Sequence, residues 1–189
     1  MKMKWKGLLK KMRIYDKSLQ VDGTFSEQEM IRITKIISKV PQNGVIVEIG
    51  CLYGRSSSAI YYSKHPSVEF FTVDIFIGTS RWTGVNQYEK LIHNMCEFDF
   101  YPKIIHGTSN MAAQHFEDKS VDLLFIDANH EEEFVTNDIT NFLPKMKTGA
   151  TLCGHDWGFD SVKAAVRKFF SDSEIKLEQG TSIWEVIIK

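Results

Sequence analysis

A chain of 189 residues with 43% hydrophobic and 12% aromatic content can bury one full core, and a second independent domain would leave both halves small. Lys and Arg total 23 against 24 Asp and Glu, so no overall field draws nucleic acid or acidic substrates, and a charge-driven partner must use a local patch. Cys51, Cys96 and Cys153 form no CxxC pair, which argues against a disulfide framework or zinc knuckle; with no apolar run near the roughly 18 residues of a membrane span and no secretory signal, a cytoplasmic setting is expected.

In chain order, MKMKWKGLLKKMR comes first and is basic, with Trp5, Leu8, Leu9 and Met12 at helical spacing. It reads as a short amphipathic arm packed on its own domain, as a lid over a ligand, or as a weak membrane-surface contact. The stretch SEQE has capping-box form, with Ser26 and Glu29 opening a helix that carries Met30, Ile33, Ile36 and Ile37 on one face. After Pro41 the pattern changes. The runs VIVEI, EFFTVD, KIIHG, VDLLFID and GATLCGHD are short and β-rich with helical stretches between them, the rhythm of a parallel sheet covered on both faces. Then IKLEQ and SIWEVIIK predict a terminal hairpin turning near Gly180 and Thr181. The expected division is a helical arm or lid over 1–40 and an α/β domain over 41–189.

The most informative stretch is VEIGCLYGRSS, residues 47–57. In a doubly wound sheet the first strand delivers its following loop to the crevice where strand order reverses, so Gly50 and Gly54 mark a nucleotide-like site. The dinucleotide fingerprint would have glycine where this chain has Glu48, and a carboxylate there repels a pyrophosphate and favours a cation. No GKS or GKT supports a P-loop. Ser56 opens the next helix, where its hydroxyl can cap the helix or reach a tail carboxylate. Asp74 ends the second strand, where a ribose diol would present two donors. An adenosine carrying a cationic amino-acid tail, S-adenosylmethionine (SAM), satisfies all of these.

Through E-x-G-x-x-x-G-x-S at 48–56 and the acidic strand end at Asp74, the chain resembles class I SAM-dependent methyltransferases. The segment FIDANHEEEFVTNDITNFLPKMKTGATLCGHDW, 125–157, resembles the small family that includes sugar and antibiotic O-methyltransferases. The resemblance runs from about residue 43 to the end. It implies a Rossmann-like doubly wound sheet of seven strands with the last antiparallel, and adenine contacts near Ser109. It also implies a divalent ion, Mg²⁺ or Mn²⁺, held by Asp127 and the pair at the tip of the fifth strand, His155 and Asp156, with His130 as the base. His155 departs from the family, which more often has a carboxylate there; imidazole suits Mn²⁺ or Zn²⁺ better than Mg²⁺.

Independently of the resemblance, adjacent fourth and fifth strands would bring Asp127, His130, His155 and Asp156 to one rim. A hydroxyl acceptor needs its proton removed before it can attack, and this rim offers a base, which favours an O-acceptor on a small molecule or sugar. An N-methyltransferase, and a SAM-binding protein without turnover, remain the alternatives. The arm and the loop GTSRWTG around Trp82 are expected to cover the acceptor, and neither carries a code for its identity or for oligomeric state.

Overall fold

Each apolar run after Pro41 is too short for a helix and rich in β-branched or aromatic residues, and each forms a strand: β1 (Val45–Ile49), β2 (Glu69–Asp74), β3 (Lys103–His106), β4 (Val121–Ile126) and β5 (Met146–Gly154). The short β6 (Lys176–Leu177) and β7 (Trp184–Ile187) follow. The computed structural model describes residues 16–77 and 86–189 and joins these strands in the order β3-β2-β1-β4-β5-β7-β6. β1 to β5 pair in parallel, and β7 runs antiparallel between β5 and β6. The fold is therefore the expected seven-stranded, doubly wound α/β sheet with its last strand antiparallel. Leu177 pairs with Trp184, so the terminal hairpin forms, but residues 178–183 separate its strands where the sequence suggested a tighter turn.

The helices are α1 (Glu27–Ile37), α2 (Arg55–Ser63), α3 (Gln87–Phe98), α4 (Ser109–Ala113), α5 (Glu132–Phe142) and α6 (Asp160–Arg167). Alternation along the strands assigns each side chain to one face of the sheet. Ile46, Leu123 and Phe125 pack under α1 and α2 with Met30, Ile33, Ile36 and Ile60. Val47, Leu124 and Ile126 turn the other way, onto Val135, Ile139 and Phe142 of α5 and Val162 and Val166 of α6. Both faces are buried, which is why the strands read as near-continuous apolar runs.

Among the described residues, contacts cross the expected boundary near residue 40. The capping box at Ser26 and Glu29 is present, α1 is built into the core, and its Arg32, with Lys39 just beyond its end, pairs with Glu185 of β7, at 2.6 and 2.7 Å. Arg55 secures the preceding segment by donating to the carbonyls of Leu19, Val21 and Phe25. Its guanidinium is thereby committed to backbone. The basic stretch 1–13 and the loop around Trp82 lie outside the described residues. Among the described residues no helix is long and apolar enough to cross a membrane.

Candidate active site

Strand order reverses between β1 and β4, and that crevice opens at the C-terminal ends of β1, β2, β4 and β5. Gly50, just past β1, has φ +86°, and a Cβ there would lie 2.3 Å from the Asp127 carbonyl oxygen. Only glycine lets the two loops meet so closely. Gly54, at φ +92°, caps α2, and a Cβ there would strike Phe100 and Leu91 at 2.7 and 2.8 Å. Both motif glycines are therefore demanded by backbone conformation and packing.

Glu48 shares the face of Ile46, so it points beneath the first turn of α2 and is fully buried. Its carboxylate accepts from Ser56 Oγ at 2.6 Å, Ser57 Oγ at 2.5 Å and Thr72 Oγ1 at 2.9 Å. Burial pushes its pKa up to about 7, against the pull of these three hydroxyls. The sequence reading had this charge facing a ligand cation, and had Ser56 capping the helix or reaching a tail carboxylate. In the structure the acid and the serine satisfy each other inside the protein and pin α2 to β1.

Asp74 is where the sequence put it, at the tip of β2, partly exposed. Its Oδ2 accepts from the amides of Cys51 and Leu52 at 2.9 and 3.3 Å and from Gln87 Nε2 at 3.0 Å, while Oδ1 accepts from the Phe76 amide at 2.9 Å. The carboxylate thus shapes the glycine loop, and Oδ1 keeps a lone pair for a further donor. Ser109 is engaged within the protein. Its hydroxyl accepts from Asn141 Nδ2 at 3.2 Å and bonds Asp138, whose burial raises its pKa to about 6, so Ser109 serves the seam between α4 and α5.

The rim cluster assembles as strand adjacency requires. β4 and β5 are parallel neighbours with Ile126 opposite Gly154, which brings the residues just beyond them together. His130 Nε2 lies 2.7 Å from Asp156 Oδ2, and the His130 ring stacks on Phe159 at 5.0 Å and 15°. His155 Nδ1 lies 3.1 Å from the same Asp156 oxygen and 3.4 Å from Asp127 Oδ1. His155 Nε2 reaches away from the rim to Glu29 Oε1, at 2.8 Å. A small cleft opens over these groups, walled by Val135, Val162 and Trp184.

The electrostatics follow from this wiring. The bond to Asp156 raises the His130 pKa above its ordinary 6.5, although partial burial opposes it. Burial also opposes charge on His155, but bonds to Asp127, Asp156 and Glu29 outweigh it and push its pKa up to about 12. Asp156 and Glu29 are held below the carboxylate range by the same histidine bonds, which overcome their burial. Asp127 moves the other way, raised by burial. Asp127, His130 and Asp156 offer ligand atoms within 4.8 Å of one another, close enough to converge on one ion. His155, expected among the ligands, has both nitrogens turned to carboxylates.

Known proteins bear on this geometry. The profile of a methyltransferase domain family matches residues 47–157, from the glycine loop to the second half of the rim. The chain belongs to that methyltransferase family. A curated relative, the uncharacterized protein y4gI of Sinorhizobium fredii, is 28% identical over 116 residues, covering 59% of this methyltransferase but only 13% of the relative's own length. Among solved structures, an O-methyltransferase from Bacillus cereus in complex with SAH superimposes with a TM-score of 0.66 at 14% identity, covering 93% of this chain and 90% of that one. The O-methyltransferase NovP gives 0.67 at 15% identity, covering 88% and 83%. At such identities the likeness is one of fold.

Glu29 was missed as a site residue of this methyltransferase. In sequence it is the third helical residue of a capping box, and that role is real: Oε2 accepts from the Ser26 amide at 2.8 Å. Nothing local marks its other oxygen, which meets a histidine 126 residues away.

Proposed function

We propose that this methyltransferase moves the methyl group of SAM to a hydroxyl of a small molecule or sugar, with His130 as general base. The observation that carries the reading is the 2.7 Å contact between Asp156 and His130 on the rim beside the Gly50 loop. Asp156 keeps the proton on Nε2, so Nδ1 is the ring's acceptor, and the ring is 45% exposed at the cleft. Nδ1 takes the hydroxyl proton as the oxygen attacks, and the Asp156 carboxylate stabilises the imidazolium that results. Stacking on Phe159 fixes the ring plane meanwhile.

The residues present fit SAM. The glycine loop brings backbone to the crevice, and the free lone pair of Asp74 Oδ1 suits a ribose hydroxyl. When bound, the cofactor supplies an electrophilic methyl group and its own leaving group; the protein aligns and deprotonates. A divalent ion fits less well. Mg²⁺ or Mn²⁺ between Asp127, His130 and Asp156 would compete with two histidine nitrogens for Asp156 Oδ2, so no step here depends on one.

SAM should raise the melting temperature where NAD does not. His130→Ala should lower turnover by about 10² to 10⁴ with SAM affinity nearly unchanged. Full activity of that variant removes the base, and SAM binding without transfer to any hydroxyl acceptor makes the chain a binding protein.

A further inference from the structure

We infer that the His155 imidazolium is the resident cation of this rim, bridging Asp127 and Asp156 where a divalent metal ion would otherwise balance their charge, with Glu29 as its positioning residue. The inference rests on donor and acceptor accounting. An ionised carboxylate oxygen only accepts, so the His155 nitrogen that hydrogen-bonds Glu29 carries a proton, while the other nitrogen lies against two more carboxylates at ion-pair distance. His155 faces carboxylates with both nitrogens: Nε2 to Glu29 at 2.8 Å, and Nδ1 to Asp156 at 3.1 Å and Asp127 at 3.4 Å. Three carboxylates around one buried imidazole favour its doubly protonated, cationic form.

The ring has little freedom to leave. It is 10% exposed, packs on Phe25 with ring centroids 5.4 Å apart, and sits on backbone fixed by its amide to the Ile126 carbonyl and by Trp184 Nε1 to its own carbonyl. Glu29 is equally held. Oε2 takes the Ser26 amide and hydroxyl, and Oε1 takes the Ser182 hydroxyl at 2.7 Å besides His155. A first-turn helix acid thus fixes the orientation of a cation on the far side of the sheet edge. A metal ion bound to Asp156 Oδ2 would have to compete with ring nitrogens of both His130 and His155, 2.7 and 3.1 Å from that oxygen, and would then sit beside a fixed positive ring. The ligand atoms converge, but the charge they would attract is already there.

The inference concerns the site read above as the methyl-transfer site, yet its test needs neither acceptor nor turnover, so the two readings fail separately. The full chain is titrated with Mn²⁺ and followed by electron paramagnetic resonance, and the His155 ring nitrogens are observed by ¹⁵N NMR. The expected result is no saturable Mn²⁺ binding into the millimolar range, with both ring nitrogens protonated at neutral pH. His155→Asp, which exchanges the cation for a ligand, should tighten Mn²⁺ binding roughly 10- to 100-fold. Glu29→Gln should lower the pH at which the His155 ring titrates. If either variant fails to fold, the wild-type measurements decide alone. Saturable micromolar Mn²⁺ binding lost in Asp127→Asn, or a His155 ring with one bare nitrogen, overturns the inference.

Discussion

Replacing Glu48 with glutamine separates a scaffold acid from a ligand contact. Glu48 is fully buried, and its pKa rises from the ordinary 4.5 to about 7 because burial outweighs the hydroxyls of Ser56, Ser57 and Thr72. The native state therefore holds this proton more tightly than the unfolded chain. Its contribution is complete below pH 4.5 and disappears as pH rises toward 7. The whole effect is about 3 kcal/mol, of which about 2.5 kcal/mol falls between pH 5 and pH 8. Glutamine carries no charge and escapes that loss, though its amide group cannot accept from all three hydroxyls and so costs about 1 to 2 kcal/mol at every pH. Urea denaturation of both proteins at pH 5 and pH 8 isolates the pH-dependent part, because every other titrating group is common to the pair. Wild type should lose about 2.5 kcal/mol more than Glu48→Gln over that interval. SAM affinity should stay within a few-fold. Equal pH dependence in the two proteins would refute the buried-acid account, and a large loss of SAM affinity with stability intact would return Glu48 to the ligand.

Asp74→Asn should weaken SAM binding by about 1.5 to 3 kcal/mol by calorimetry, the scale for hydrogen bonds to a charged group; an unchanged dissociation constant would remove the ribose assignment. Because a base must be neutral to accept a proton and the bond to Asp156 raises the His130 pKa, kcat/KM should climb with pH through an apparent pKa above 6.5 and then level off. In Asp156→Asn that limb should move to lower pH and the plateau should fall by about 10²-fold; a limb that does not move would rule out Asp156 as the partner.

The sheet was readable because burial on both faces leaves apolar runs of strand length, and because order reversal puts the first loop at a crevice whatever the side chains are. The rim was readable for the same reason, since neighbouring parallel strands carry Asp127 and His155 to one end. What sequence did not convey was direction. Glu48 and Ser56 sit at motif spacing, but strand alternation turns the acid inward, where the serine meets it. Ser109 begins α4, and a partner on α5 engages its hydroxyl. Glu29 was hidden because a capping box accounts for one carboxylate oxygen and says nothing of the other. The packing of α1 onto one face of the sheet rests on contacts that no local pattern records.

The position of β7 has a consequence for how this protein is made. Trp184 Nε1 supports the His155 carbonyl, and β7 pairs with β5 from Gly154 to Thr151. On a ribosome adding about 5 to 20 residues per second, roughly thirty residues separate the emergence of Gly154 from that of its partner strand, a wait of about 1.5 to 6 s. During that interval β5 is a bare, apolar edge, the kind of surface on which nascent chains associate wrongly. The same delay leaves the His155 carbonyl without its Trp184 partner until nearly all of the described sheet has been synthesised, so a stalled or truncated chain would carry the glycine loop without a finished rim.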